Sequence, residues 1–251
     1  KSISPIGQKE THEFLSALND FYRTSRFNDF FNTHTDIYEL GLQVFNDSVM
    51  AHFDQEWYTR FYGTPPAEQF RIIIGFTNGP CNYGPSRKLT GQPKEVFAIM
   101  NYAVDDNERP IFYKKVVETV VHEFCHSFTK IKGDTEKALE KSGKALQEYT
   151  YFSMRRQAYG TWRNILEESL VRAATICYLI DHDYDEKDIR NAIIEQVDRN
   201  FFWMPELVQT LRYYESHRKK YPTFTSFYPE IIRFFDRYVT NMEKEMKKAM
   251  K

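Results

Sequence analysis

One five-residue stretch constrains this chain more than any other: residues 122–126 read His-Glu-Phe-Cys-His. Two histidines four positions apart on a helix lie on the same face, and both can bind one metal ion. Glu123 follows the first histidine, so its carboxylate lies beside a metal-bound water and can accept a proton from it. The spacing of His122, Glu123 and His126 therefore predicts a hydrolytic zinc site.

The segment around this stretch is predicted to be a mostly buried amphipathic helix, because its apolar residues recur at steps of three and four. Histidines that border an apolar stripe are costly to bury without partners. The alternative is a pair of hydrogen-bonded core histidines with Glu123 exposed. That alternative leaves the spacing unexplained, whereas a zinc site explains all three polar residues. The apolar residues are Phe112, Val116, Val117, Val120, Val121, Phe124, Cys125 and Phe128.

A catalytic zinc ion usually has three protein ligands and one open position, so a third ligand must come from elsewhere in the chain. The candidate stretch is Asn164–Ala173, a predicted helix that contains two adjacent acids. The helical wheel does not choose between them, since Glu167 and Glu168 each share an arc with apolar residues. Most glutamates on helices are surface residues, and either acid can be one of these.

Several phrases resemble a known group of enzymes. The run Glu168-Ser169-Leu170-Val171-Arg172 is similar to the phrase with which gluzincin zinc metallopeptidases supply a glutamate ligand from a second helix. Together with residues 122–128, Asn82-Tyr83-Gly84 and the Phe21-Tyr22 pair, it resembles a bacterial family of gluzincin-like domains, DUF4932. The similarity spans most of the chain and is most specific at the zinc helix.

The resemblance implies a cofactor, a ligand set and a class of substrate. It implies Zn²⁺ bound by His122, His126 and Glu168, with Glu123 as the catalytic base. The expected function is that of a zinc-dependent hydrolase, a metallopeptidase that cleaves a peptide or protein substrate. Two alternatives stay open: a catalytically weak zincin-fold protein that binds a peptide or glycan, and a hydrolase of non-peptide amides or esters.

Composition excludes other classes. Lys and Arg number 34 against 35 Asp and Glu, a formal charge of −1, so no general attraction to nucleic acid is expected. The three cysteines form no C-x-x-C pair, which argues against a disulfide framework and against a cysteine zinc site. Cys125 is predicted to be a small core residue. No apolar run reaches the 18 residues that a transmembrane helix requires.

The fold class predicted is α+β: a mostly helical zincin-like fold in which a small sheet precedes the zinc helix. We expect a single domain over residues 1–251, with a helical part at 1–62, the sheet and zinc helix at 63–130, and a helical part at 131–251. Two β-prone apolar runs, 70–76 and 96–103, are the predicted strands. Apolar sets at helical spacing in the first third are expected to pack in the core: Phe14, Leu15, Leu18, Phe21, Tyr22, Phe27, Phe30 and Phe31.

By resemblance to zincins, the strand nearest the zinc helix is expected to run along the cleft with a free edge to which an extended substrate can pair. Val96–Ala103 is the candidate for that edge. An internal strand without a substrate role is the alternative.

Three further segments lead to expectations. Residues 130–159 are predicted to form an inserted helical hairpin beside the cleft, with a solvated charged face. Tyr159, just before the predicted helix 162–180, either donates a hydrogen bond to the oxyanion of the reaction or packs in the core. The acidic cluster at 181–185 is either an accessory metal site or a turn in which Asp185 caps the next helix.

The cellular location follows only from resemblance. The chain begins at Lys1-Ser2 without an initiating Met or a signal peptide, which suggests that an upstream segment was removed or is not included in this sequence. Resemblance to exported bacterial zinc peptidases predicts a periplasmic, cell-surface or secreted protein. Oligomeric state is not predicted by any feature of the sequence.

Overall fold

The computed structural model describes residues 7–79, 81–113 and 115–250. The fold is α+β and mostly helical, and a small sheet precedes the helix that carries His122, as predicted. A 3₁₀ turn, Met50–His52, follows the third helix. The helices are α1 (Gln8–Thr24), α2 (Phe27–Thr33), α3 (Thr35–Ser48), α4 (Trp57–Tyr62), α5 (Lys115–Cys125), α6 (Gly133–Tyr149), α7 (Tyr151–Arg156), α8 (Trp162–Asp181), α9 (Glu186–Asp198), α10 (Met204–Ser216) and α11 (Phe224–Ala249). The strands are β1 (Gln69–Ile74), β2 (Ser86–Arg87), β3 (Glu95–Met100), β4 (Ala103–Val104) and β5 (Pro110–Ile111).

The larger sheet has the strand order β1-β3-β2, so β3 is its central strand. β1 pairs with β3 in parallel, from Gln69 opposite Glu95 to Ile74 opposite Met100. β2 pairs with the other side of β3 in the antiparallel direction, and Tyr83 extends that pairing opposite Ile99. The expectation that Val96–Ala103 forms a free edge is therefore wrong. The segment 83–87 occupies that edge, because an antiparallel turn-rich loop folds back along β3.

Helix α5 is anchored by its apolar face. Val117, Val120, Val121, Phe124 and Cys125 are buried, and α5 packs against β3 and α8. Removing such side chains from water stabilises the fold by about 1.5–3 kcal/mol each for the larger ones. The helix ends at Cys125, earlier than the apolar spacing to residue 128 predicts. The next residues continue as a tight turn.

Helix α8 lies at the centre of the protein. It buries 13 of its 20 residues, and α5, α6, α9 and α10 pack around it. Its start is fixed by Thr161, whose side chain accepts a hydrogen bond from the Asn164 backbone N–H at 3.2 Å, the usual role of an N-cap threonine. Residues 130–159 are largely helical, as predicted, but they are not an insertion outside the core. Helix α6 packs against α8 and α11 and contributes buried residues, so it is part of the core.

The N-terminal helix α1 differs from expectation. It packs against α2, and its apolar side chains are exposed, Phe14 at 65% and Phe21 at 56%. Helical spacing identifies an apolar face, but it does not show whether another element covers that face. The predicted core role of this set is therefore wrong in the described chain. None of the described helices is long and apolar enough to cross a membrane.

Candidate metal centre

Three predicted ligands lie together between α5 and α8. His122 is in the last turn of α5, His126 directly follows that helix, and Glu168 is in the first half of α8. The two imidazole rings have centroids 5.0 Å apart and planes at 84°. Nε2 of His122 lies 3.4 Å from Oε1 of Glu168, and Nε2 of His126 lies 3.7 Å from Oε2. One ligand atom from each residue lies within 4.8 Å of the other two.

These distances fit one metal ion. Zinc ligands about 2.0–2.2 Å from a tetrahedral ion lie roughly 3.3–3.6 Å from one another, close to the 3.7 Å between Nε2 of His126 and Oε2 of Glu168. Within residues 7–79, 81–113 and 115–250, no other group of three His, Cys, Asp or Glu side chains has this arrangement. Two imidazoles and one carboxylate, with space beside them, are a donor set that zinc takes in hydrolases.

The environment keeps both imidazoles neutral, and a neutral imidazole has a lone pair for a metal. Burial lowers the pKa of His122 to about 4. Burial also lowers the pKa of His126, although the neighbouring Glu168 opposes that shift. No described residue forms a hydrogen bond with either ring. Their nitrogens are therefore available to a ligand.

Glu123 lies on the open side of the cluster against a glycine. A Cβ built on Gly84 would be 2.2 Å from Oε2 of Glu123, so the carboxylate rests on bare backbone at the sheet edge. Burial, together with repulsion from Glu168, raises the pKa of Glu123 to about 7. A carboxylate with a pKa near neutral is suited to accept and then return a proton.

The third candidate ligand is held by two residues of its own. Glu168 is 6% exposed. Its Oε1 accepts a hydrogen bond from the Tyr159 hydroxyl at 2.9 Å and forms an ion pair with Nη2 of Arg172 at 2.7 Å. Burial opposes ionisation of this carboxyl, but the Arg172 guanidinium and the Tyr159 hydroxyl hold its pKa below the ordinary value. The Tyr159 hydroxyl thus donates to Glu168, and its ring packs against the core, which is the second of the two roles expected for it. The sequence phrase that begins at Glu168 includes Arg172 but predicted no role for it, and its position four after Glu168 on one helix was the available signal for this contact.

The neighbouring acid has another role. Glu167 accepts a hydrogen bond from the Ile131 backbone N–H at 2.9 Å and pairs with Nζ of Lys130 at 3.2 Å. Its carboxylate fixes the loop after α5. The structure thus brings Glu168, and not Glu167, to the two histidines.

The acidic cluster at 181–185 forms no metal-binding group within the described residues. Asp181 accepts a hydrogen bond from the Trp57 indole, and His182 pairs with Asp54 at 3.1 Å. Asp185 occupies the N-cap position of α9, as predicted, but its side chain makes no capping hydrogen bond. The segment is a structural turn.

The site opens to solvent on two sides. A cleft of about 700 Å³ adjoins His122 and Glu123 and is lined also by Asn82, Gln157 and Arg199. A second pocket of about 350 Å³ adjoins His126 and is lined by Lys94, Lys130 and Lys132 among others. The candidate centre therefore lies between two open spaces, as a site that admits an extended molecule would.

Fold and site define a mostly helical α+β protein with a His₂Glu candidate metal centre. The profile of the family described as Domain of unknown function (DUF4932) matches residues 3–234. The chain belongs to that family. Searches of curated proteins and of solved structures gave no significant match.

Proposed function

We propose that this protein is a zinc-dependent hydrolase, a gluzincin-like metallopeptidase. One observation carries the proposal: two imidazoles at the end of α5 and a buried carboxylate of α8 converge, with a second carboxylate, Glu123, beside them. This combination is the donor set and the base that hydrolysis at zinc requires. Chain order also agrees, because the base directly follows the first ligand.

The roles of the residues follow from their positions. His122, His126 and Glu168 would hold the ion, and when bound, zinc supplies a Lewis acid that makes water a stronger nucleophile and polarises a carbonyl. Glu123 would accept the proton of the attacking water at its carboxylate and donate it to the leaving amine. The bare backbone of Gly84 leaves that carboxylate free to do so.

The substrate proposed is a peptide in an extended conformation. Tyr83 exchanges two backbone hydrogen bonds with Ile99, and Pro85 accepts one from Phe97. Pairing of antiparallel strands alternates, so the N–H and C=O of Gly84 point away from β3, next to Glu123. An added strand can pair there. The export of the protein that the sequence suggests remains a proposal of the same kind.

The substitution Glu123→Gln tests this function. It keeps the size and packing of the side chain but removes the base, so hydrolysis of a broad peptide library should fall by roughly 10²–10⁴-fold. Zinc content, measured by elemental analysis of protein purified without chelator, should stay at the wild-type value. Full peptidase activity in the Gln variant would refute the role of Glu123. Zinc-loaded wild-type protein that cleaves no peptide would favour a binding protein or a hydrolase of other amides and esters.

A further inference from the structure

The two oxygens of the Glu168 carboxylate have different surroundings. Oε1 receives the Tyr159 hydroxyl at 2.9 Å and Nη2 of Arg172 at 2.7 Å, and it also lies 3.4 Å from Nε2 of His122. Oε2 faces Nε2 of His126 at 3.7 Å, and no described residue donates a hydrogen bond to it. One oxygen is thus occupied by protein donors, and the other is left for a ligand.

The two donors also hold each other. Nη2 of Arg172 donates to the Tyr159 hydroxyl at 2.9 Å, so Tyr159, Arg172 and Oε1 form a closed triangle. Nη1 of Arg172 donates to the side-chain oxygen of Gln196, a buried residue of α9. The guanidinium therefore cannot rotate away from Glu168 without losing several contacts.

The Phe201 ring packs against both Arg172 and Tyr159. The guanidinium carbon of Arg172 lies 5.1 Å from the centroid of the Phe201 ring, and the Tyr159 ring meets Phe201 edge-on at 5.8 Å. Phe201 is fully buried, so it is a rigid support. Cation–π and edge-to-face contacts of this kind contribute to stability beyond burial alone.

We propose that Tyr159 and Arg172 are positioning residues for the metal ligand: they engage Oε1 of Glu168 and direct Oε2 alone toward the ion. A carboxylate that gives one oxygen leaves a coordination position open for water, which a catalytic zinc site needs. This inference rests on the zinc centre of the proposed function. Outer partners that orient a ligand in this way typically contribute tenfold to a hundredfold to metal affinity.

Two substitutions test the proposal by zinc affinity, measured by competition with a chromophoric chelator. Tyr159→Phe removes one hydroxyl and keeps the ring on Phe201. Arg172→Lys keeps the charge but loses the planar fork, because an ammonium group cannot reach Glu168, Tyr159 and Gln196 together. Each should weaken zinc binding by roughly tenfold or more. Tyr178→Phe, which removes a hydroxyl from α8 near Asp54, is the matched control and should bind zinc as the wild type does.

The outcomes separate positioning from simple charge balance. Zinc affinity within twofold of wild type in either variant would overturn the proposal, and Arg172→Lys at the wild-type value would show that charge alone matters. If Arg172→Lys does not fold, the result for Tyr159→Phe decides. X-ray absorption at the zinc edge adds a second readout: the wild type should show one carboxylate oxygen, and two equivalent oxygens would contradict the inference.

Failure of the proposed function gives a different pattern. If wild-type protein binds zinc and the two variants bind it weakly, but no peptide is cleaved, the positioning role stands and the peptidase proposal fails. If peptides are cleaved by a zinc enzyme whose affinity neither variant changes, the reverse holds.

Discussion

Two clusters of carboxylate, imidazole and guanidinium groups adjoin helix α8. They differ in how many of their polar atoms have a hydrogen-bond partner in the protein. The first cluster, which we call the metal cluster, comprises His122, His126, Glu168, Tyr159 and Arg172. The second, which we call the turn cluster, comprises Asp54, Arg60, Asp181, His182 and Arg212. Both join α8 to distant parts of the chain.

In the turn cluster, other protein groups contact both carboxylate oxygens of Asp54 and both ring nitrogens of His182. Oδ1 of Asp54 accepts the backbone N–H groups of Glu56 and Trp57 at 3.0 and 3.1 Å, and Oδ2 contacts Arg60 and His182. The other ring nitrogen of His182 contacts the Tyr178 carbonyl at 2.8 Å. No donor or acceptor on this imidazole is left for a ligand, so its role is to fasten the end of α8.

In the metal cluster the imidazole nitrogens and Oε2 of Glu168 have no hydrogen-bond partner among the described residues. Both rings line open spaces, so solvent or a ligand can meet these atoms without the cost of burying them unpaired. Unpaired atoms, more than residue types, therefore distinguish the proposed metal site from a cluster that stabilises the fold. The four predictions below test this difference, in order of decreasing expected effect.

The largest effect is expected from His126→Ala. The variant lacks one ligand, so both zinc and hydrolysis should be lost, the latter by several orders of magnitude. Stability of the metal-free protein should change little, because this side chain is 32% exposed and makes no hydrogen bond with described residues. Elemental analysis and thermal unfolding check the two statements. Retained stoichiometric zinc would show that the ion, if any, lies elsewhere.

A second, smaller effect is expected from Gly84→Ala. The new methyl group meets the end of the Glu123 side chain, which moves aside more easily than backbone does. Hydrolysis should fall about tenfold or more, since small misplacements of a catalytic group are costly, while zinc content stays constant. Gly160→Ala adds the same methyl group in open space and serves as the control. Equal activity of the two variants would contradict the placement of Glu123.

His182→Ala is the counterpart of His126→Ala in the turn cluster. It removes the contact with Asp54 at 3.1 Å and the stacking on Tyr178 at 3.9 Å. The free energy of unfolding should decrease by about 1–2 kcal/mol, with no change in zinc content. Denaturant titration measures the first quantity. Loss of zinc from this variant would show that the turn cluster also contributes to zinc binding, which would contradict the purely structural role given to it here.

The smallest effect concerns pH at the border of the turn cluster. Burial and the neighbouring Asp181 raise the pKa of Glu215 from 4.5 to about 8. A carboxyl with a raised pKa in the folded state stabilises most below pH 4.5, and this contribution is lost as pH rises through about 8. Glu215→Gln cannot ionise, so at pH 9 it should exceed the wild type in free energy of unfolding by about 1 kcal/mol. A wild type that is the more stable protein at pH 9 would contradict the shift.

The sequence was informative where the signal is local. Helix geometry alone predicts that His122 and His126 face the same side. The apolar stripe likewise predicts that Cys125 is buried. The α+β class followed from runs of helical and β-prone spacing.

The remaining features depend on contacts between distant segments. Whether Glu167 or Glu168 meets the histidines is set by the rotation of α8 against α5, which the helical wheel does not give. The central place of β3 depends on residues 83–87 folding back along it. The sequence likewise does not show which element covers Phe14 and its neighbours, which are exposed. Nor does it show that the Tyr159 hydroxyl donates a hydrogen bond to Glu168.

The most direct test of the central claim is a crystal structure of protein loaded with zinc, with anomalous scattering recorded on both sides of the zinc edge. We expect one anomalous peak between α5 and α8, about 2.0–2.2 Å from Nε2 of His122, Nε2 of His126 and a carboxylate oxygen of Glu168. A peak at the turn cluster, or no peak at these three atoms despite excess zinc, would contradict it.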